Sequence, residues 1–482
     1  MSRLADRLQS LAASRKATVP SQAPSAVVLG AGVAGLVAAR ELALLGYEVS
    51  VLEAGEPGGR VSAHVVDGLS LDAGAESFAT RNDAVARLAG ELGLEIVYPA
   101  PSPAWLHAGP GRDVPLPRSG VVGIPGDPRE ADAIAALSAE GAARAALDLE
   151  TPVQPELLEG PVSLGELVRV RLGQEVLETL VTPVVSGVHS ADPEALDADA
   201  IAPGLRAALE REGSLSAAAA SLRAAAPAGS AVAGLRGGMN TLVNALVADL
   251  EARGVHLITG AEVEHVEREE NGAWHVSVGS DVLDAERLVV ATDGPRAVEL
   301  LSGAVPGLAA LRPEEGAGVS LVTLVVDLPD LDVAPRGTGV LVAPGAPDVV
   351  AKALTHASAK WPWLAELAGP GRHVLRLSYG RLTDEAARVA DADDETLLKQ
   401  GLADAATLLG VQLGGADVLG WDVVRHHGAL PMATLGHRDR LQAISGLLAP
   451  VPELDVVGAW RYGTGLAAVV SSTRQALGLS AR

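Results

Sequence analysis

The chain has no cysteine, a single phenylalanine and four tyrosines in 482 residues. Without a thiol there can be no disulfide, Fe–S cluster, thiolate zinc site, cysteine nucleophile or cysteine-linked cofactor. The same absence fits a reducing compartment. Positive charge is also scarce: 37 Lys plus Arg face 60 Asp plus Glu, a formal net charge of −23. A phosphate-neutralising surface needs the opposite sign, so nucleic acid is not an expected partner, and the acidity reads as a solubility feature. Long apolar runs are missing too. The longest, Ala26 to Ala39, is shorter than the roughly 20 residues that cross a bilayer. Residues 1–24 carry Arg3, Arg7, Arg15 and Lys16 with no apolar core of a secretory signal. Residues 1–23 are expected to form a mobile extension.

What is present is 48% apolar, mostly Ala, Val and Leu, in valine-rich strands that alternate with alanine-rich helices. That pattern predicts an α/β fold with a sizeable core in two or three domains. The stretch "VVLGAGVAGL" (27–36) sets the theme. Ser25 to Leu29 reads as a buried strand, Val33 to Leu45 as a helix stopped by Gly46, and Glu48 to Glu53 as the next strand. This is the βαβ setting that the G-x-G-x-x-G fingerprint requires. Gly30 makes the tight turn, Gly32 admits a diphosphate to the backbone, and Gly35 lets helix pack on strand. Ala31, Val33 and Ala34 complete that turn, whose helix start offers unpaired N–H groups to phosphate. Glu53, followed by Ala54, can accept hydrogen bonds from a ribose hydroxyl. An acid there disfavours a ribose phosphate, leaving NAD or FAD. Eleven scattered His give no metal-ligand spacing, and no metal is expected. His426 and His427, adjacent on a strand, point to opposite faces. Asp192 with Glu194 reads as a solvated loop.

The stretch "EAGEPGGRVSAHVVDGLSLDAGAESF" (53–78), with Gly58-Gly59-Arg60, Asp72, Gly74 and Ser77, resembles the flavin-containing amine oxidase and protoporphyrinogen oxidase superfamily. That resemblance implies non-covalent FAD and adds Gly59, Arg60, Gly74, Ala75, Glu76 and Ser77 to the cofactor site. "GLRGGMNTLVNALVADLEARGVHLITGAEVEHVE" (234–267) is similar to the return into the cofactor domain. It predicts a Gly237-Gly238 turn, a helix stopped by Gly254, and strands near 255–258 and 263–266, with the Val263 backbone at the adenine. "AERLVVAT" (285–292) resembles the strand that closes this module. "LDVVGAWRYGTGLAAVVSSTRQAL" (454–477) resembles the C-terminal flavin motif and implicates Thr464, Gly465 and Leu466. It departs from many relatives in lacking their Pro and Cys after Leu466.

Four further stretches resemble porphyrinogen oxidases in particular, the soluble Gram-positive coproporphyrinogen III oxidase type most closely. They are "VSLGELVRVRLGQEVLETLVTPVVSGVHSADPEAL" (162–196), "THASAKWP" (355–362), "VLRLSYGR" (374–381) and "WDVVRHHGALPMATLGHRDRL" (421–441). Bottom-up, Ser163 caps a helix that runs to Leu172 and breaks at Gly173, and Pro183 is expected to end the next helix before a turn at Gly187. The resemblance implies a porphyrinogen substrate, dioxygen as acceptor, Trp421 at the cofactor, and Gly187 and Arg381 at the substrate. No catalytic side chain is implied, because flavin N5 carries the chemistry. A flat tetrapyrrole needs an apolar slot with cations at its rim. Arg169, Arg171, Lys360, Arg376 and Arg381 are candidates, with a surface charge the commoner role for each.

The expected architecture is a discontinuous Rossmann-like FAD-binding domain (24–80, 234–300, 437–482), a mixed-sheet substrate domain (81–110, 181–233, 301–436) and a helical lobe (111–180). The alanine tract 217–226 is expected to be helical. The resemblance further implies a cytoplasmic protein with at most peripheral membrane contact, and the next haem-pathway enzyme as a candidate partner. Alternative readings are a protoporphyrinogen IX oxidase, another flavin amine oxidase or desaturase, and a porphyrin carrier without turnover.

Overall fold

Apolar strands that leave no polar face need cover on both sides, and this requirement organises the first half of the structure. The computed structural model describes residues 23–117, 119–189, 191–225, 231–380, 389–430 and 434–478. Ser25–Leu29, Glu48–Glu53, His256–Thr259, Arg287–Val290 and Leu454–Val456 form one parallel sheet. Its spatial order is 256–259, 48–53, 25–29, 287–290, 454–456. Ala26, Val28, Val49, Val51 and Val289 pack against the helices Val33–Leu44, Asn240–Ala252 and Leu466–Ala476 through Leu36, Val37, Leu242, Leu246 and Val470. On the other face Val27, Leu29, Leu52, Leu288 and Val290 meet Trp274 and Val276 of a three-stranded antiparallel ribbon. Each such side chain contributes about 1.5–3 kcal/mol by leaving water. The strand after Ser25–Leu29 lies to one side of it and Arg287–Val290 to the other, so the chain switches direction there. In open α/β sheets that switch point, at the carboxyl ends of the strands, is where ligands sit.

A second sheet has seven strands, ordered 418–430, 317–327, 372–379, 353–356, 339–342, 105–107, 113–115. All its pairs are antiparallel except Gly339–Val342 with Trp105–His107. One face packs on the helix Asp394–Leu409 through Val322, Leu324, Leu375, Leu377, Leu397 and Leu408. Helices between 131 and 225 build a separate core around Leu164, Leu167, Leu172, Leu180, Leu205 and Leu209. The alanine tract is helical over Leu215–Ala224, and Ala226 lies outside the described residues. No helix among the described residues is long and apolar enough to cross a membrane.

Three expectations change. The strand expected at 263–266 runs from His265 to Arg268. The preceding residues leave the ladder: Ala261 N–H donates to the Glu53 carbonyl at 2.8 Å, and the Val263 carbonyl accepts from Arg296 at 2.5 Å. Pro183 does not end a helix, and Gly187 is not in a turn. Gln174–Val176, a π-helical segment at Leu177–Val181 and an α-helix at Thr182–His189 run on without a break, so Pro183 lies inside one helical stretch just past the π turn. The wide π turn shifts the hydrogen-bond ladder where proline has no N–H to give, and Thr182 Oγ1 donates to the Leu177 carbonyl at 2.8 Å. Finally, Arg171 is no surface charge. Its side chain is fully buried and donates to Asp148 Oδ1 at 2.7 Å and to the carbonyls of Asp148, Thr151 and Pro152 at 2.8–2.9 Å. A guanidinium can be buried when a carboxylate and several carbonyls together satisfy its donors.

Where the seven-stranded sheet meets Ala357–Lys360, His356 Nε2 lies 3.0 Å from His373 Nδ1, and His373 Nε2 lies 3.1 Å from Asp332. Burial, with His373 adding to it, pushes His356 from 6.5 down to about 3. The unfolded chain therefore binds a proton that the fold refuses across that interval. Stability from this site is complete above about pH 6.5 and is lost on acidification toward pH 3, by up to ~1.4 kcal/mol per pH unit. His356→Gln is expected to flatten the fall of Tm below about pH 6.5 in calorimetry. Parallel acid limbs in the two proteins would assign that fall to other groups.

Candidate flavin site

The site begins where the first strand stops. Gly30 has φ +95°, donates to the Leu52 carbonyl at 2.7 Å and lies against Ala291 of the neighbouring strand end. A Cβ on Gly35 would sit 1.8 Å from the Gly30 carbonyl oxygen, so only glycine lets the helix start this close. At Gly32 a Cβ would meet nothing within 4 Å. The helix Val33–Leu44 has no side-chain cap, and Ala31, Val33 and Ala34 are buried, presenting backbone only. Glu53 closes the loop: its Oε2 accepts from Ala31 N–H at 2.6 Å and its Oε1 from Gly55 N–H at 2.8 Å. Ala54 beside it is exposed.

From there a continuous wall of backbone runs outward. Gly58 N–H donates to the Ala31 carbonyl at 2.8 Å, which seats the Gly58-Gly59 turn on the first glycine turn. Ala75 N–H donates to the Arg60 carbonyl at 2.9 Å, and a Cβ on Gly74 would collide with that oxygen at 2.2 Å. The Arg60 side chain reaches solvent, yet enough protein surrounds it to lower its pKa by desolvation, against the pull of Asp293. It therefore lines a cleft. Asp72 accepts from the Met239 and Asn240 N–H groups at 2.9 and 3.1 Å, at the start of the helix Asn240–Ala252. Burial raises Asp72 to about 6 despite those bonds. A Cβ on Gly238 would lie 2.9 Å from its Oδ1, which accounts for the second glycine there.

Lys360 and Arg376 both pair with Glu76, Arg376 at 2.9 Å. Burial alone would raise the Glu76 pKa, but the two cations hold it at about 2. Arg376 also donates to the carbonyls of Gly74 at 2.9 Å and Asp72 at 3.2 Å. Neither cation is the solvated surface charge of the commoner reading. Ser77 is half-buried beside Glu76.

A second helix start arrives from the other end of the chain. Gly463 has φ +111°, Gly465 is exposed, and Thr464 and Leu466 are partly exposed. Leu466–Ala476 has no side-chain cap and packs along Val33–Leu44. Arg474 bonds Glu41 at 2.8 Å. Each of these two residues lies eight positions past its helix start, so the helices run side by side in the same direction. Their positive dipole ends open together.

The remaining expected residues divide. Val263 is buried with its carbonyl engaged by Arg296. Arg381 lies outside the described residues. Trp421 is not brought to this wall. It pairs with Leu324, whereas its strand neighbours Asp422 and His426 face His64 at 2.7 Å and the Ala73 carbonyl at 2.7 Å. Strand alternation therefore turns Trp421 to the opposite face. Arg169 pairs with Glu194 at the surface.

Gly187 leads to a second feature. The pairs Leu341 with Ala353, Ala353 with Ser378 and Thr355 with Arg376 place these five side chains on one face of the large sheet. All five are partly exposed, while the alternating Val340, Val342, Leu354, Leu375 and Leu377 are buried. That face is the one open to solvent in this part of the sheet. A Cβ on Gly187 would lie 3.1 Å from Leu341 on the same face, and Arg376 reaches from it to the 72–76 turn. The sequence offered no sign that Arg376 and Lys360 join the two walls.

The model of the family described as flavin containing amine oxidoreductase matches residues 33–476. A coproporphyrinogen III oxidase of Mycobacterium tuberculosis is 32% identical, covering 93% of this chain and 96% of that protein. One from Propionibacterium freudenreichii is 30% identical, covering 93% and 89%. The crystal structure of a protein from Exiguobacterium sp. 255-15, named as a protoporphyrinogen oxidase, superposes with a TM-score of 0.81 at 27% identity, covering 95% of this chain and 98% of that one. With the paired helix starts and the glycine turns in place, the chain belongs to the flavin-containing amine oxidoreductase family and is a flavin-dependent oxidoreductase.

Proposed function

We propose that the protein oxidises coproporphyrinogen III to coproporphyrin III with non-covalent FAD and dioxygen. The observation that carries this reading is the pair of uncapped helix starts opening together beside a wall of backbone that ends at the solvent-accessible sheet face of Leu341, Ala353, Thr355, Ser378 and Arg376. The donor set fits FAD. Amides at 32–35 and 465–467 would grip the diphosphate, Glu53 a ribose, and Arg60 the cleft along the phosphates. The 74–77 turn would back the isoalloxazine. FAD, when bound, accepts hydride at N5 and hands both electrons to dioxygen, giving hydrogen peroxide. The substrate gives up a hydride, formally from a bridging carbon, and a proton in each of three successive rounds. Leu341, Ala353 and Gly187 would form an apolar floor for the macrocycle, with Thr355 and Ser378 as hydroxyls at its edge. Residues 24–80, 234–300 and 437–482 would be the cofactor domain. The names of the relatives similar over nearly the whole chain support this substrate class.

Two experiments test it. Anaerobic addition of coproporphyrinogen III should bleach the yellow protein faster than protoporphyrinogen IX does, and admitting air should restore the colour with peroxide release. Tight porphyrin binding without bleaching would make it a carrier, and faster bleaching by protoporphyrinogen IX would reverse the substrate assignment.

The glycine turn gives a paired prediction. Gly35→Ala forces a Cβ to 1.8 Å from the Gly30 oxygen and should cost about 2 kcal/mol or more of stability together with the flavin. Gly32→Ala meets open space, so its apoprotein Tm should be unchanged while FAD affinity, read by fluorescence titration, drops at least about tenfold. Equal FAD affinity in Gly32→Ala would remove the diphosphate from this turn.

A further inference from the structure

We infer that Arg376 is a positioning residue: a strap from the substrate-facing sheet that fixes the distance between the macrocycle on that sheet and the isoalloxazine against the 74–77 turn. The inference rests on the functional reading above and assigns a role to one side chain within it. Arg376 belongs to Arg372–Tyr379, flanked in register by Thr323 and Thr355. Its guanidinium spans the turn, donating to the carbonyls of Asp72 (3.2 Å) and Gly74 (2.9 Å) and pairing with Glu76 Oε2 (2.9 Å). These acceptors sit on alternate residues, so one planar group holds one edge of the segment. Lys360, at the end of the helix Ala357–Lys360, closes on the other oxygen of Glu76 and keeps that carboxylate from swinging away.

The charge of Glu76 is committed to these two cations, and theirs to it. Glu76 is gripped from both sides, one oxygen by each cation, so the cluster serves as a frame that retains one net positive charge. A planar fork is what the geometry needs, because lysine offers a point charge and cannot reach all three acceptors at once. Displacement of a reacting centre by about 1 Å can cost roughly a hundredfold in rate.

The test uses FAD-loaded Arg376→Ala and Arg376→Lys. Amide hydrogen exchange of residues 72–77 should quicken in both, with the 25–35 segment unchanged, and added guanidinium ion should slow it again in Arg376→Ala only. Anaerobic bleaching by coproporphyrinogen III should fall about a hundredfold in kcat with little change in KM, and guanidinium should recover part of it. Unchanged exchange at 72–77 in either variant would overturn the strap, as would loss of rate through KM alone. Loosened exchange with no oxidation of coproporphyrinogen III even by the unsubstituted enzyme would instead sink the functional reading and leave the strap standing.

Discussion

Two helices that begin side by side and point the same way form the constraint on which this structure depends. Each brings a turn of unpaired amides, and neither fills them with a side chain of its own. Amides can converge on one anion only if the backbones come unusually close. The first helix meets its own turn so closely that a Cβ on Gly35 would overlap the Gly30 carbonyl oxygen. The ion pairs of Arg474 with Glu41 and Glu91, and of Arg40 with Glu91, lock the register between the helices. These pairs are partly buried, where such contacts are screened less than at an open surface.

The second constraint is the join between the cofactor wall and the large sheet. An interface of apolar side chains could slide. Around the apolar contacts of Val66, Leu69 and Leu71 with Val325 and Val374, this one is indexed by directional polar contacts: Glu76 between Lys360 and Arg376, His64 on Asp422, His426 on the Ala73 carbonyl. Buried ionic contacts add little net stability because desolvation offsets much of their attraction. Their directional geometry does define one relative placement of two walls.

Much of the glycine-lined wall was legible in the sequence because its logic is local. Gly30, Gly32, Gly35 and Glu53 lie within one βαβ unit, and strand and helix periods place them without long-range knowledge. Strand ends, the stop at Gly173 and the cap at Ser163 followed from the same short-range rules. Other features depended on what the chain meets from afar. Pro183 reads as a breaker until a π-helical turn just before it lets the helix run through. The parity of Trp421 cannot be known before the register of Val418–Leu430 against Ala317–Asp327 is set. Arg171, Lys360 and Arg376 look alike in sequence, and only the carboxylates and carbonyls brought in by folding tell a core arginine from a strap.

The strand order of the parallel sheet carries a consequence for how the protein is made. Its outer strand, Leu454–Val456, leaves the ribosome long after its one neighbour in the sheet, Arg287–Val290, and the second helix start at Leu466 follows it. The growing chain can assemble four strands but lacks the second helix start until Leu466 emerges. Until then the nascent sheet must wait with the edge of Arg287–Val290 uncovered, where a chaperone or a stray strand has its opportunity.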